Sequence, residues 1–306
     1  MKNITVGGYE QRDIQQQVAK VLRGLGNPEP PLDLRLVLEL LKLDLQFFRT
    51  GDDAVVREIV SKVRIGIKQV IFRPTLLWEA ITKMKLSALW LPDQRRILID
   101  ANAPELKHRW YEGHEVIHGL LLWHSQFLLG DTTKELNPLC AEIIEAEANY
   151  GAGQLLFLQG RFSEQAKDMP MCLATIKSIA KQFGNTITST LWRYVEEVCD
   201  ESPVVALVSA HPHYVHDSKD SSEPCRRCIE SPKFKEQFGH LGELELFGKL
   251  FGYCAYTKKG KLGQAQVVLT DRNGDNHFFH FESFSNGYDV LTLAVYQRKV
   301  ALVVGF

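Results

Sequence analysis

Residues 113–118 constrain the structure and chemistry of this chain most. They read G-H-E-x-x-H within a segment that favours a helix. Residues at i and i+4 lie one above the other on a helix, so His114 and His118 point two imidazoles at one spot. That geometry suits two ligands of a zinc ion. Glu115 can reach a water molecule at the same spot and act as general base. The segment therefore indicates metal-assisted hydrolysis, although it does not by itself indicate the overall fold.

The helix that carries this motif is expected to be largely buried. It begins near Pro104, which suits a first helical turn. Large apolar side chains lie close to the motif: Trp110, Ile117, Leu120, Leu121 and Leu122. Polar groups near buried surface need partners, and a metal ion would satisfy the three in the motif. A helix with solvated or hydrogen-bonded histidines is the alternative interpretation.

A catalytic zinc site needs a third protein ligand and an open position for water. His124 lies six residues beyond His118, where metzincin-type peptidases place their third histidine. Those peptidases turn the chain out of the helix at a glycine, and this chain has Leu121 there. If the helix continues, His124 points about 80° away from His114 and far along the axis. The sequence therefore predicts that His124 is not a ligand.

The acidic segment 141–149 offers the other candidates for the third ligand. Glu145 and Asn149 lie at i and i+4 beside a small residue, so a second backbone can approach closely. An apolar stripe borders Glu145 and comprises Ala141, Ile144, Ala148, Leu155 and Leu156. Glu142 and Glu147 are the remaining alternatives, and Glu147 faces away from Glu145. A surface helix with a run of charges is the interpretation without a metal.

The order of these elements resembles the ImmA/IrrE family of bacterial metallopeptidases. A short strand at 96–100 precedes the histidine-bearing helix, and the pattern E-x-x-A-N-x-x-A-x-x-L-L begins at Glu145. The resemblance covers residues 30–200 approximately and is more specific than the five-residue motif. In that family the two histidines and the downstream glutamate hold Zn²⁺, which implies His114, His118 and Glu145 here. The motif glutamate is the family's catalytic base, which implies Glu115.

Several positions depart from the family's pattern, and none of them is a ligand. Gly113 stands where the family usually has Ala, and Ile117 stands where it usually has Gly. Gly151 stands where Phe is usual, and Phe157 and Leu158 replace the usual Met and Pro. These departures affect the assignment to a subfamily more than the proposed zinc chemistry.

Composition and charge narrow the class of protein. The net charge of −1 gives no overall attraction to DNA or to anionic membranes. The N-terminus lacks the apolar core of a signal peptide, and no stretch approaches the roughly 20 apolar residues that a bilayer requires. Six scattered cysteines without an export signal indicate reduced thiols. We therefore expect a cytoplasmic protein that does not associate with membranes.

The periodicity predicts an α+β protein in three regions. We predict a zinc metallopeptidase-like domain at 1–160, a helix-turn-helix-like region at 161–205 and a β-rich C-terminal domain at 206–306. In the first, a small sheet carries the histidine helix at 103–124 and the acidic helix at 138–158. Further helices are predicted at 9–24, 32–43 and 52–62, and strands at 45–48, 88–91 and 96–100.

The region after the peptidase-like domain predicts two short helices with helix-turn-helix spacing, at 176–184 and 186–198. DNA-binding versions usually carry a basic second helix. Here Arg193 is opposed by Glu196 and Glu197. A helical scaffold is therefore preferred over DNA binding, and docking of a substrate is a third interpretation.

The last part of the chain alternates strongly and predicts an antiparallel meander from 263 to 306, with a two-residue turn at Asn273 and Gly274. Longer members of the resembled family carry a GAF-like sensory domain at this position. Upstream, Cys225 and Cys228 form a single C-x-x-C motif near several histidines. We expect two thiols there and no second zinc ion.

Two classes of function follow from these observations. The first is a zinc endopeptidase, which is a hydrolase. The resemblance to the ImmA/IrrE family implies that its substrate is a helix-turn-helix repressor and that it acts in transcription regulation and stress response. The second is a non-catalytic regulatory protein that binds DNA or a protein partner through the helix-turn-helix and C-terminal regions. The presence of Glu115 favours the first class, because a protein that binds a metal without catalysing hydrolysis needs no general base. Tyr111, His124 and Tyr150 are candidates for stabilising the oxyanion.

Overall fold

The computed structural model describes most of the chain. The described residues are 6–48, 88–91, 95–102, 105–124, 138–217 and 224–300. They divide into two compact units, of which the first comprises Met1–Arg161 and Phe183–Asn185 and the second comprises Phe162–Gln182 and Thr186–Phe306. The helix predicted at 52–62 and the part of the predicted meander beyond residue 300 lie outside the described residues.

The first unit combines helices with a small mixed sheet. Its elements are α1 (Gly8–Gly24), α2 (Leu34–Leu41), β1 (Asp44–Phe48), β2 (Ala88–Leu91), β3 (Arg96–Asp100), α3 (Glu105–Leu120) and α4 (Pro138–Leu156). β3 is the central strand, parallel to β1 and antiparallel to β2. Its Ile97, Leu98 and Ile99 are all buried. α3 packs against β2 and β3, so the sheet supports the helix that bears the histidines.

α3 and α4 approach closely because glycines on both helices face large side chains. A Cβ added to Gly151 would lie 2.7 Å from Ile117 Cγ2, and one added to Gly113 would lie 3.0 Å from Leu156 Cδ1. Ile117 and Gly151 are two of the departures from the ImmA/IrrE pattern, and the structure places them in contact.

Gly151→Ala should lower the free energy of unfolding by about 1–3 kcal/mol, because the added methyl overpacks a full interface. Thermal unfolding followed by circular dichroism measures the loss. In an Ile117→Ala background the same substitution should cost less, because the overpacked contact with Ile117 is gone. Gly160→Ala is the matched control, since a Cβ there meets nothing within 4 Å. An equal loss in the control would show that overpacking is not the cause.

The second unit is built around a five-stranded antiparallel sheet of order β5-β4-β8-β7-β6. Its strands are β4 (Val204–Ser209), β5 (Cys225–Glu230), β6 (Gly260–Thr270), β7 (Asn276–Ser285) and β8 (Val290–Lys299). The helices in this part of the chain are α5 (Gly160–Lys167), α6 (Leu173–Phe183), α7 (Ile187–Glu197), α8 (Pro232–Phe238) and α9 (Glu243–Gly248). Its core includes Phe234, Phe238, Phe279 and Phe281. The predicted meander corresponds to β6, β7 and β8.

The loop between β6 and β7 is longer than the predicted two-residue turn at Asn273 and Gly274. It spans 271–275, and the Asp271 carboxylate accepts hydrogen bonds within it from the backbone N–H groups of Asn273 and Asp275. Gly274 has φ +85°, a conformation that glycine adopts readily. The side chain of Asp271 thus stabilises the loop.

α7 is a scaffold helix of the second unit. Thr186 caps its N-terminus by accepting a hydrogen bond from the Ser189 backbone N–H. α7 packs against β4 and β5. Arg193, the only basic residue within α7, is 6% exposed and lies 2.6 Å from Glu197 in an ion pair. A buried and paired arginine is not accessible to the phosphates of DNA. This supports the interpretation of α7 as a scaffold helix over DNA reading by α7.

The predicted fold class, α+β with a histidine-bearing helix on a small sheet and a β-rich C-terminal region, is confirmed. Within the described ranges, no helix combines the length and the apolar character needed to cross a bilayer.

Candidate metal centre

Three predicted ligands meet between α3 and α4. His114 Nε2 lies 3.1 Å from His118 Nε2 across one helical turn of α3. Glu145 reaches them from α4, with Oε2 3.2 Å from His114 Nε2 and Oε1 3.5 Å from His118 Nε2. Among the described residues, this is the one group of three or more His, Cys, Asp or Glu side chains gathered closely enough to hold a metal ion.

The ring orientation of His114 is set by Asn149. His114 Nδ1 lies 3.1 Å from Asn149 Oδ1. Because an amide oxygen only accepts, Nδ1 carries the proton and Nε2 presents its lone pair to the other two ligand atoms. The E-x-x-A-N pattern of α4 therefore places a ligand, Glu145, and an orienting acceptor, Asn149, on the same helix face.

The charges of the site favour an ionised Glu145 and a more basic Glu115. The contacts of its two oxygens with His114 and His118 hold the pKa of Glu145 far below its usual range. Burial lowers the pKa of His114, but the contact with Glu145 and the charge of Glu115 outweigh burial and raise it overall. Burial raises the pKa of Glu115 against the opposing effect of the two histidines. A carboxylate with a raised pKa is a stronger base.

Glu115 lies beside the metal ligands without being one of them. It is buried, and its carboxylate hydrogen-bonds to the backbone of Trp90 in β2. Trp90 also packs against α3, since a Cβ added to Gly119 would lie 3.1 Å from its ring. The predicted base is therefore held between the histidine helix and a strand of the sheet. By contrast, the Glu145 side chain is 60% exposed, so the site opens to solvent on the α4 side.

The prediction for His124 was wrong in its geometry. α3 ends at Leu120, and the backbone N–H of His124 donates to the carbonyl of Leu121 in a tighter turn. Leu121 is fully buried, whereas Leu122 is 75% exposed. The predicted direction requires a continuous helix, but the helix is interrupted at Leu121, and His124 Nδ1 lies 3.0 Å from His118 Nδ1. His124 lies outside the three-ligand group but contacts one of its members.

Glu147 is a hydrogen-bond partner of His124, a role that the sequence pattern does not predict. Its Oε2 accepts hydrogen bonds from His124 Nε2 at 2.9 Å and from Trp123 Nε1 at 2.8 Å. Glu147 is only 5% exposed. Its position beside Ala148 within the apolar stripe of α4 was the available signal, because a carboxylate there is buried and needs partners. Glu142, the other alternative ligand, is exposed and outside the three-ligand group.

Two of the candidates for stabilising an oxyanion already have hydrogen-bond partners. Both ring nitrogens of His124 are engaged, one with His118 and one with Glu147. The Tyr150 hydroxyl accepts a hydrogen bond from Gln15 Nε2 at 2.7 Å. Tyr111 stays a prediction.

The cysteines of the C-x-x-C motif lie on β5 as free thiols. Burial raises the pKa of Cys225 to about 12 and raises that of Cys228 as well. A thiol must lose its proton to bind a metal. Of the nearby histidines, His211 hydrogen-bonds to the Thr257 carbonyl and His213 to the Cys254 carbonyl.

The purified chain should therefore contain about one metal ion, and Cys225→Ser should leave that number unchanged, because the buried thiols stay protonated at neutral pH. Elemental analysis against protein concentration measures the ratio. Two metal ions per chain, falling to one in Cys225→Ser, would contradict the expectation.

No protein-family model matches the chain, and no curated protein matches it significantly. Among solved structures, the chain is similar to a Mycobacterium tuberculosis transcriptional regulator. The TM-score is 0.52 and the sequence identity 10%, over 96% of this chain and 77% of that one. At this identity the likeness concerns the fold alone.

Proposed function

We propose that this chain is a zinc-dependent endopeptidase that cuts a protein substrate and thereby controls gene expression. The observation that carries the proposal is the group of ligand side chains formed by His114, His118 and Glu145, with Glu115 buried beside it.

The spacing of the two histidines fits zinc. Two ligand atoms that are each about 2.0–2.1 Å from zinc, at the tetrahedral angle, lie about 3.4 Å apart. The two Nε2 atoms are 3.1 Å apart, and each lies near a different oxygen of Glu145, at 3.2 Å for His114 and 3.5 Å for His118. Two imidazoles and one carboxylate are also the ligand set of hydrolytic zinc sites, which keep a fourth position open.

The residues around the site have distinct roles in the proposed hydrolysis. A bound zinc ion would polarise the scissile carbonyl and lower the pKa of water towards ~7. Glu115 takes the proton from the attacking water and returns it to the leaving amine. Its burial supports this role, because burial raises the pKa of Glu115 and makes it a better acceptor. Asn149 keeps the His114 ring oriented throughout.

The position of β2 supports an extended peptide as substrate. Among the described strands, β2 is at the edge of its sheet, next to β3. An edge strand can pair with an extended peptide through its free backbone groups. The backbone of Trp90 in this strand already contacts Glu115, so a paired peptide would run past the base.

Two observations support a role in gene regulation. The fold is similar to that of a transcriptional regulator from Mycobacterium tuberculosis. The resembled ImmA/IrrE peptidases cut helix-turn-helix repressors. We therefore propose a repressor protein as the substrate.

A non-catalytic regulatory protein is the second candidate function. The likeness to the transcriptional regulator favours it. The burial of Arg193 argues against DNA reading by α7 itself. Such a regulator would bind DNA or a protein partner through its helix-turn-helix-like and C-terminal regions.

The experiment that tests the proposal incubates the zinc-loaded chain with candidate repressor proteins and identifies fragments by mass spectrometry. Zinc-dependent cleavage that stops on chelation is the expected result. Tight binding of a partner without any fragments would support the second candidate.

A further inference from the structure

A buried chain of hydrogen bonds ends on the metal ligand His118. Trp123 Nε1 donates to Glu147 Oε2 at 2.8 Å, and the same oxygen lies 2.9 Å from His124 Nε2. His124 Nδ1 then lies 3.0 Å from His118 Nδ1. His124 is fully buried, and Glu147 and His118 are 5% and 4% exposed.

Because the Glu147 carboxylate can only accept, it fixes the direction of each hydrogen bond in this series. A carboxylate only accepts, so His124 Nε2 carries a proton and donates it to Glu147. The Nδ1 of a neutral His124 ring is then an acceptor, so His118 Nδ1 carries the proton between the two rings. His118 Nε2 is left with its lone pair, and that atom lies 3.1 Å from His114 Nε2 and 3.5 Å from Glu145 Oε1.

We propose that His124 and Glu147 are positioning residues that fix the tautomer and the ring orientation of His118 for metal binding. This inference rests on the metal site of the proposed function. α4 then supplies a ligand, Glu145, together with an acceptor for each histidine: Asn149 directly for His114, and Glu147 through His124 for His118.

A purely structural role explains the arrangement less well. Burying an imidazole and a carboxylate costs free energy that an apolar pair of similar volume would avoid. The hydrogen bonds also run from the ligand His118 through His124 to Glu147, whose carboxylate accepts at the far end. Outer partners of this kind hold metal-binding histidines in the ligating tautomer, and their loss typically weakens metal affinity 10–100-fold.

Two variants at one position separate positioning from packing. In His124→Gln, the amide oxygen can accept from His118 Nδ1 and the amide nitrogen can donate to Glu147, so the direction of the chain is kept. His124→Leu fills the space but makes neither bond. We expect zinc affinity, measured by competition with a chromogenic chelator, to fall 10–100-fold in His124→Leu and to stay within about threefold of wild type in His124→Gln. Equal affinity in His124→Leu and wild type, or equal weakening in both variants, would overturn the proposal.

A second measurement needs no variant and no bound metal. Nitrogen-15 NMR of the histidine rings in chelator-treated wild type reports the tautomer of each ring. The expected result is a proton on Nδ1 of His118 and on Nε2 of His124. A proton on Nε2 of His118 would overturn the proposal, even if His124→Leu does not fold. If the wild type binds no zinc, the proposed function fails, while this measurement still decides the inference on His118.

Discussion

Glu115→Gln is expected to abolish cleavage of the protein substrate while leaving the zinc site intact. Glutamine is nearly isosteric with glutamate but cannot take a proton from the attacking water. General base catalysis typically contributes 10²–10⁴-fold to the rate, so we expect a loss of about that size. The ligand atoms belong to His114, His118 and Glu145, so zinc content should stay at about one per chain.

The measurement compares fragment formation by wild type and Glu115→Gln on the same repressor protein, with zinc content determined on both samples. Glu142→Gln is the matched control, because Glu142 is an exposed glutamate of α4 outside the ligand group. A Glu115→Gln chain that cuts at the wild-type rate would exclude Glu115 as the base. A wild type that cuts no candidate but holds a partner tightly would favour the regulatory function.

Glu145→Gln is expected to remove most of the bound zinc. A carboxylate oxygen is replaced by a neutral amide that binds zinc poorly, and only two imidazole ligands remain. We expect the loss of affinity to exceed the roughly 100-fold that a change outside the ligand shell can produce. The fold should persist, because the Glu145 side chain is 60% exposed.

Dialysis against buffered zinc, followed by elemental analysis, measures this loss, and Glu142→Gln again serves as the control. His124→Gln should keep a full zinc ion under the same conditions, since His124 contacts a ligand but is not one. If His124→Gln lost the metal and Glu145→Gln kept it, the assignment of the third ligand would be wrong.

These two results separate the candidate functions. Loss of cleavage with retained zinc in Glu115→Gln, together with loss of zinc in Glu145→Gln, is the outcome specific to a zinc peptidase. A regulator that uses its metal only for structure would lose partner binding in Glu145→Gln and keep it in Glu115→Gln, with no fragments in either case.

The local part of the candidate site was determined by the sequence. His114 and His118 lie four residues apart on one helix, and helical geometry alone brings their rings together. The apolar stripe of α4 likewise predicted which of its faces is buried, and strict alternation predicted β6, β7 and β8. Each of these features depends on periodicity within a few residues, which a sequence displays directly.

The surroundings of the site were decided only by the tertiary structure. Nothing local showed that α3 ends at Leu120, because that depends on Leu121 finding a buried place while Leu122 is exposed. The same break returns His124 to His118 and makes Glu147 its partner. The parallel pairing of β1 with β3 and the pairing of β4 with β8 also join segments far apart in the chain. Such contacts depend on which distant surfaces fit together, and a local pattern carries no information about that fit.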